Sequence, residues 1–214
     1  MSRSIRHVFC NANHLRRTLT VFTLFTAAAF QPAAAQSHHI VDLGTLPGGD
    51  ISQAPALNER GQAVGYSTLA SGDQHATLYE NGKAIDLGTL GGTVGAAYGI
   101  NSRGQIVGSS TTASGSMHAF LFERGVMKDL GTLPGGGSSA AYGINDRGQI
   151  VGSSTAASGY AHAFLFEHGV MKDLGMLPGG NQSIAQGINN RGQIAGYSAT
   201  AYSPWHAVLW RPER

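Results

Sequence analysis

Short apolar runs alternate with turns rich in Gly, Asn and Ser from residue 40 to residue 211. Gln149–Ser154 and His162–Glu167 are typical runs, and each is bounded by turn residues. Runs of this length with such borders are typical of β-strands, and no segment shows the 3.6-residue spacing of an amphipathic helix. The pattern therefore predicts an all-β protein.

The same pattern recurs four times. The tripeptide Asp-Leu-Gly recurs at intervals of 43 or 44 residues, starting at Asp42, Asp86, Asp129 and Asp173. The motif His-Ala-x-Leu-aromatic follows the same period, starting at His75, His118, His162 and His206. A fixed period of this length indicates a repeat architecture. We therefore expect residues that recur in all copies to build the repeat, and functional residues to lie where the copies differ.

One copy contains four predicted strands. In the third copy these strands span residues 141–145, 149–154, 162–167 and 170–177. Asn145 and Gly148 stand at the first and last positions of a predicted type I turn. His168-Gly169, like Asn81-Gly82 in the first copy, predicts a two-residue type I′ hairpin.

Four antiparallel strands in about 44 residues are the content of a propeller blade. The sequence thus predicts a β-propeller of four four-stranded blades. In that prediction the N-terminal strand Ile40–Leu46 pairs with His206–Arg211 and closes the last blade. A parallel β-solenoid is the alternative fold, and an open four-blade arc that dimerises into a larger ring is the alternative assembly.

Residues 1–35 differ from the repeats. Four arginines and no acid precede an apolar stretch over residues 19–30, and Ala33-Ala34-Ala35 is a small-residue cleavage signal. This is the pattern of a secretory signal peptide, by the general or the twin-arginine route. We expect residues 36–214 to form one exported domain, periplasmic or extracellular, without a membrane span.

Charge and cysteine content narrow the class of partner. The signal segment holds four of the 14 Lys and Arg and none of the 12 Asp and Glu, which leaves ten bases against 12 acids. No basic surface is expected for nucleic acid. The single cysteine, Cys10, also lies in the signal segment, so the exported domain depends on its core instead of disulfides.

The motifs His118-Ala119-Phe120 and His162-Ala163-Phe164, with the linker Asp-Leu-Gly-Thr-Leu-Pro-Gly-Gly, carry a family resemblance. The chain from about Ile40 to Trp210 resembles the bacterial extracellular HAF repeats. Two copies depart from the motif, with His75-Ala76-Thr77 and His206-Ala207-Val208. The resemblance implies an exported or surface protein and implies no particular activity.

The repeated polar residues favour structural roles. Histidines in different blades would be too far apart to share a metal ion, so we expect each to make a hydrogen bond within its blade. The Arg and Asn of each Asn-x-Arg-Gly turn are expected to hold the turn. No metal, cofactor or catalytic residue is predicted in the repeats, although an N-terminus at Gln36-Ser37-His38 would offer nitrogen ligands to Cu(II).

The copies differ mainly in the linkers and in the loops before the repeated histidines. The unrepeated residues predicted to contact a ligand are Tyr160, Tyr202, Trp205, Asp50 and Asp73. Exposed aromatic rings suit the apolar face of a sugar or a partner protein. The sequence therefore predicts a non-catalytic binding or interaction module for an extracellular glycan or protein. The alternative is a propeller enzyme that acts on glycans with Asp50 and Asp73 as its carboxylate pair.

Overall fold

The computed structural model of the protein describes residues 37–212, and these residues form 15 β-strands. The all-β prediction is thus confirmed. The predicted signal peptide, residues 1–35, lies outside the described residues. The strands are β1 (Ser52–Leu57), β2 (Ala63–Thr68), β3 (Gln74–Glu80), β4 (Lys83–Gly88), β5 (Gly91–Ile100), β6 (Ile106–Thr112), β7 (Met117–Glu123), β8 (Val126–Asp129), β9 (Ser139–Ile144), β10 (Ile150–Thr155), β11 (Ala161–Glu167), β12 (Val170–Asp173), β13 (Ser183–Ile188), β14 (Ile194–Ser198) and β15 (His206–Trp210).

The strands form four successive repeats. We call β1–β4 repeat 1, β5–β8 repeat 2, β9–β12 repeat 3 and β13–β15 repeat 4. Each strand pairs antiparallel with the next strand of its repeat. A single parallel bridge between Gln74 and Val94 joins repeats 1 and 2 into one eight-stranded sheet. Repeats 3 and 4 form separate sheets of four and three strands.

The predicted turns within the repeats are present. The Gly148 N–H donates to the Asn145 carbonyl at 3.0 Å, and Gly148 has a φ of +81°. Asn81 and Gly82 have φ values of 52° and 71°, as a type I′ hairpin requires. The predicted fourth strand of the third copy is shorter than expected, because it ends at Asp173 and the chain then turns at Gly175, with a φ of +71°.

The core lies between repeats. Strand β2 packs against β5, β6 against β9, and β10 against β13. Each interface buries its own apolar cluster, and Phe120 and Phe164 are fully buried in two of these clusters. The glycine in the middle of each second strand lets the first strand approach closely. A Cβ at Gly152, for example, would overlap the Ala140 carbonyl beside the irregular register of β9 and β10.

The propeller prediction is wrong. The sheets have eight, four and three strands, and none of them is closed or curled into a propeller. The expected closing pair is also missing, since β15 pairs only with β14 among the strands of residues 37–212, and residues 40–46 contain no strand. The period specifies the strands of a repeat and its contact with the next one. Closure depends on the rotation between successive sheets, for which the sequence carries no comparable signal.

Candidate functional site

The repeated asparagines hold the turn after each first strand. The Asn101 Oδ1 accepts the N–H groups of Arg103 and Gln105, both at 3.0 Å. Its Nδ2 donates to the Gln105 side chain at 2.8 Å and to the Asn145 carbonyl of the next repeat at 3.0 Å. The expected structural role is therefore confirmed, and the asparagines also link neighbouring repeats. The four asparagines and residues beside them line one cavity of about 370 Å³.

The repeated histidines pair with the aspartates of Asp-Leu-Gly. The Nδ1 to carboxylate distance is 2.8 Å for His75 and Asp86, and 2.8 Å for His118 and Asp129. It is 2.6 Å for His162 and Asp173. Each pair joins the third strand of a repeat to its fourth strand. The predicted hydrogen bond within each repeat is thus present in repeats 1 to 3. No group of three or more metal-ligating side chains occurs within residues 37–212.

A second repeated pair joins the turns to the third strands. The Gln149 Nε2 donates to the Glu167 carboxylate at 2.8 Å, and this hydrogen bond lowers the pKa of Glu167. Gln105 makes the same bond to Glu123 at 2.9 Å and lowers the pKa of that carboxyl group as well. The hydrogen bonds account for both lowered pKa values without any catalytic role.

The linkers and the loops before the histidines lie together on one side of the repeats. The Thr155 Oγ1 accepts the N–H groups of Gly137 and Ser138 at 2.8 and 3.0 Å. A Cβ at Gly135 would overlap the side chain of Ala157 in the same way that a Cβ at Gly179 would overlap Ala201. We call this surface, formed by the linkers and the pre-histidine loops, the loop face.

Repeat 4 carries two exposed aromatic residues, Tyr202 and Trp205, on the loop face. Trp205 is 44% exposed, and Tyr202 is fully exposed. The Trp205 ring meets the Tyr197 ring edge to face with 4.8 Å between centroids, which holds the indole in place. The Thr200 Oγ1 accepts the Ser203 N–H at 3.0 Å and shapes the loop that carries Tyr202.

Two cavities adjoin Trp205. One cavity, of about 360 Å³, is lined by residues 181–182 and 199–205 and includes Tyr202. The other, of about 480 Å³, is lined by Gly196, Tyr197, Trp205, His206 and Ala207. This arrangement offers an ordered aromatic edge between two recesses, which is suited to a sugar ring or an apolar side chain.

The structure brings together only some of the predicted ligand-binding residues. Tyr202 and Trp205 share a cavity, whereas Tyr160 is 45% exposed on the corresponding loop of repeat 3 and lines neither cavity. Sequence reasoning did not select Tyr197. The search for unrepeated residues could not have found it, because repeat 1 has Tyr66 at the equivalent position, although repeats 2 and 3 have Ser109 and Ser153 there.

The two predicted acids lie in the first part of the described chain. The Asp50 carboxylate accepts the Thr68 hydroxyl at 3.0 Å. The Asp73 carboxylate accepts the Ser71 hydroxyl at 2.9 Å, within its own loop. Within residues 37–212 no hydrogen bond or ion pair connects either acid with Tyr202 or Trp205. The Cu(II) alternative involves Gln36, which lies outside the described residues.

Two comparisons with known proteins gave no match. No family model matches the chain, and no curated protein matches it. Within residues 37–212 no helix is both long and apolar enough to cross a membrane.

Proposed function

We propose that the protein is an exported HAF-type repeat protein that acts as a non-catalytic binding module. Export is supported by the signal-like pattern of residues 1–35, and the HAF assignment by the motif residues. The repeated Asn, His, Asp and Gln side chains are engaged in hydrogen bonds of the fold. The unrepeated aromatic residues of repeat 4 remain exposed for a ligand.

The observation that carries the proposal is the position of Trp205. Its ring is ordered by Tyr197, is partly exposed and borders two cavities. An aromatic ring that is fixed before binding loses little conformational freedom when a ligand stacks on it. We therefore place the ligand on the loop face of repeat 4, against Trp205 and Tyr202.

A glycan array probed with the exported chain tests this function, with affinities of the hits measured by calorimetry. We expect Trp205→Ala to weaken binding at least tenfold, which corresponds to about 1.4 kcal/mol. Tyr160→Ala is the matched control, because it removes an exposed aromatic ring from the same face one repeat away. Circular dichroism of both variants verifies that they are folded.

Unchanged affinity in Trp205→Ala would contradict the assignment of the ligand to repeat 4. Release of a cleaved glycan that is abolished by Asp50→Asn or Asp73→Asn would contradict the non-catalytic function.

A further inference from the structure

The repeats contain four equivalent histidines and four equivalent aspartates, but only three His–Asp ion pairs form within residues 37–212. By sequence position, Asp42 is equivalent to Asp173, and His206 is equivalent to His162. Three such pairs are made, at 2.6 to 2.8 Å. Within residues 37–212 neither Asp42 nor His206 has an ion-pair partner. The two halves of a fourth pair therefore lie at opposite ends of the repeat array.

Asp42 is already held in the conformation of the paired aspartates. Its Oδ1 accepts the Gly44 N–H at 2.9 Å, and the Ser52 hydroxyl donates to the Gly44 carbonyl at 2.8 Å. The Leu46 N–H donates to the Ser67 hydroxyl at 2.8 Å. The segment Val41–Leu46 is thus docked on repeat 1 before it meets any partner.

The linker that precedes repeat 4 shows the same contacts. The Asp173 Oδ1 accepts the Gly175 N–H at 2.8 Å, and the Ser183 hydroxyl donates to the Gly175 carbonyl at 2.7 Å. The Leu177 N–H donates to the Ser198 hydroxyl at 2.9 Å. There, however, the linker also continues the sheet of repeat 3. Repeat 1 therefore presents a linker that, within residues 37–212, continues the sheet of no other repeat.

Strand β15 presents the complementary half. In repeat 3 the Ala163 N–H donates to the Ser183 hydroxyl, and the Ala163 carbonyl accepts the Leu174 N–H, both at 2.9 Å. The residue equivalent to Ala163 in repeat 4 is Ala207, which is exposed, whereas Ala163 is fully buried. Leu209 on the same strand is 48% exposed. Repeat 4 therefore presents a sheet edge and an apolar face that no other repeat covers within residues 37–212.

We propose that these two ends join between copies of the chain, so that repeat 1 of one copy follows repeat 4 of another. Val41–Leu43 adds to the free edge of β15 as the equivalent residues Lys172–Leu174 add to β11. The register follows from Phe164 opposite Asp173, which places Val208 opposite Asp42 of the second copy. The His206 Nδ1 then pairs with the Asp42 carboxylate, and Leu43 covers Ala207.

The partner at this junction is a second copy of the chain, because the junction resembles the interface between successive repeats, which the chain already makes three times. Ser52 stands where Ser139 and Ser183 accept the Ala119 and Ala163 N–H groups at the last two interfaces. The linker half of the junction already has its local geometry. We call the segment Val41–Leu46 the head and the exposed edge of β15 the tail. The contact uses these two different surfaces, so each added copy leaves one head and one tail of the oligomer free. Covering the edge of β15 also removes a strand edge that would otherwise be open to unspecific pairing.

Two blocking variants test the assembly in the exported chain. Leu43→Lys places a charge in the head, and Leu209→Lys places one in the tail. Both side chains are partly exposed, at 38% and 48%, so we expect the melting temperature of the monomer to change little. Size-exclusion chromatography with light scattering should show wild-type oligomers that grow with concentration, and monomers for each variant alone.

Mixing the two variants is the decisive step. Leu43→Lys retains an intact tail and Leu209→Lys an intact head, so the mixture should form a one-to-one dimer and nothing larger. Asp42→Ala or His206→Ala should weaken the wild-type assembly, whereas His118→Ala should lower the melting temperature without preventing assembly.

A wild-type protein that is monomeric at all concentrations would overturn the proposal, as would a mixture of the two variants that stays monomeric. Two residues of this junction, His206 and Ala207, also line the larger cavity beside Trp205. Glycan binding is therefore measured on the monomeric Leu209→Lys variant, which keeps Tyr202 and Trp205, so that assembly and ligand binding are tested separately.

Discussion

At the scale of single residues, one asparagine side chain stabilises both its own turn and the next repeat. Asn101 is 4% exposed and makes four hydrogen bonds, one of which crosses to the Asn145 carbonyl. Asn189 makes the same bonds within its own turn but is exposed, and its Nδ2 donates only to Gln193 among the described residues. Asn101 and Asn189 can thus be compared directly, because both hold their own turn and only Asn101 also bonds to the next repeat.

We predict that Asn101→Ala lowers the free energy of unfolding by about 1–3 kcal/mol, because it leaves buried backbone groups without partners. Asn189→Ala should cost less, since water can replace the lost bonds at an exposed turn. Urea denaturation followed by circular dichroism measures both values. Equal losses in the two variants would show that the bond between repeats contributes nothing.

At the scale of elements, the Gly-Gly pairs are spacers between a linker and the neighbouring loop. A Cβ at Gly136 would overlap the Thr155 carbonyl, whereas a Cβ at the next residue, Gly137, would have no atom within 4 Å. Gly136 also donates its N–H to the Leu133 carbonyl at 2.9 Å, which closes the linker turn. Gly136, the second glycine of the pair, is therefore required by close packing, whereas Gly137, which follows the pair, is not.

We predict that Gly136→Ala destabilises the protein by about 1–3 kcal/mol, the usual cost of inserting a methyl group into a packed contact. Gly137→Ala should change stability by no more than about 0.5 kcal/mol. Thermal unfolding of the two variants under identical conditions provides the comparison. A tolerated alanine at residue 136 would mean that the linker and the loop separate easily.

The strands themselves could be predicted from sequence because their signals are local. The apolar run at 162–167 and the turn residues Asn145 and Gly148 each determine structure within a few positions, and β9, β10 and β11 lie within two residues of the predicted bounds. The end of β12 at Asp173 was missed, because the His162–Asp173 bond and the turn at Gly175 interrupt an apolar stretch that continues in the sequence.

At the scale of the whole molecule, the arrangement of the repeats could not be predicted from the sequence pattern. The period identifies equivalent residues, such as Ala163 and Ala207, but it does not specify whether the last of them will be covered. The candidate site shows the same limit. Tyr160 and Trp205 are both unrepeated, yet only Trp205 has a second aromatic ring, Tyr197, beside it.

The array of sheets also predicts how stability is distributed along the chain. Repeats 2 and 3 each pack against two neighbours, whereas repeat 4 packs against one and contains three strands. In repeat proteins stability is approximately a sum of repeat and nearest-neighbour contributions, so terminal units open first. Strands β6 and β10 are largely buried, whereas β15 contains no buried residue.

We therefore predict that amide hydrogen exchange is slowest in β6 and β10 and fastest among the strands in β14 and β15. The measurement is hydrogen exchange with mass spectrometry on the monomeric Leu209→Lys variant, so that assembly cannot protect the edge. Val151→Ala provides the perturbation, because Val151 is fully buried between repeats 3 and 4. It should accelerate exchange in β13–β15 far more than in β2 and β3. Uniform acceleration across all four repeats would instead show that the array unfolds as a single cooperative unit.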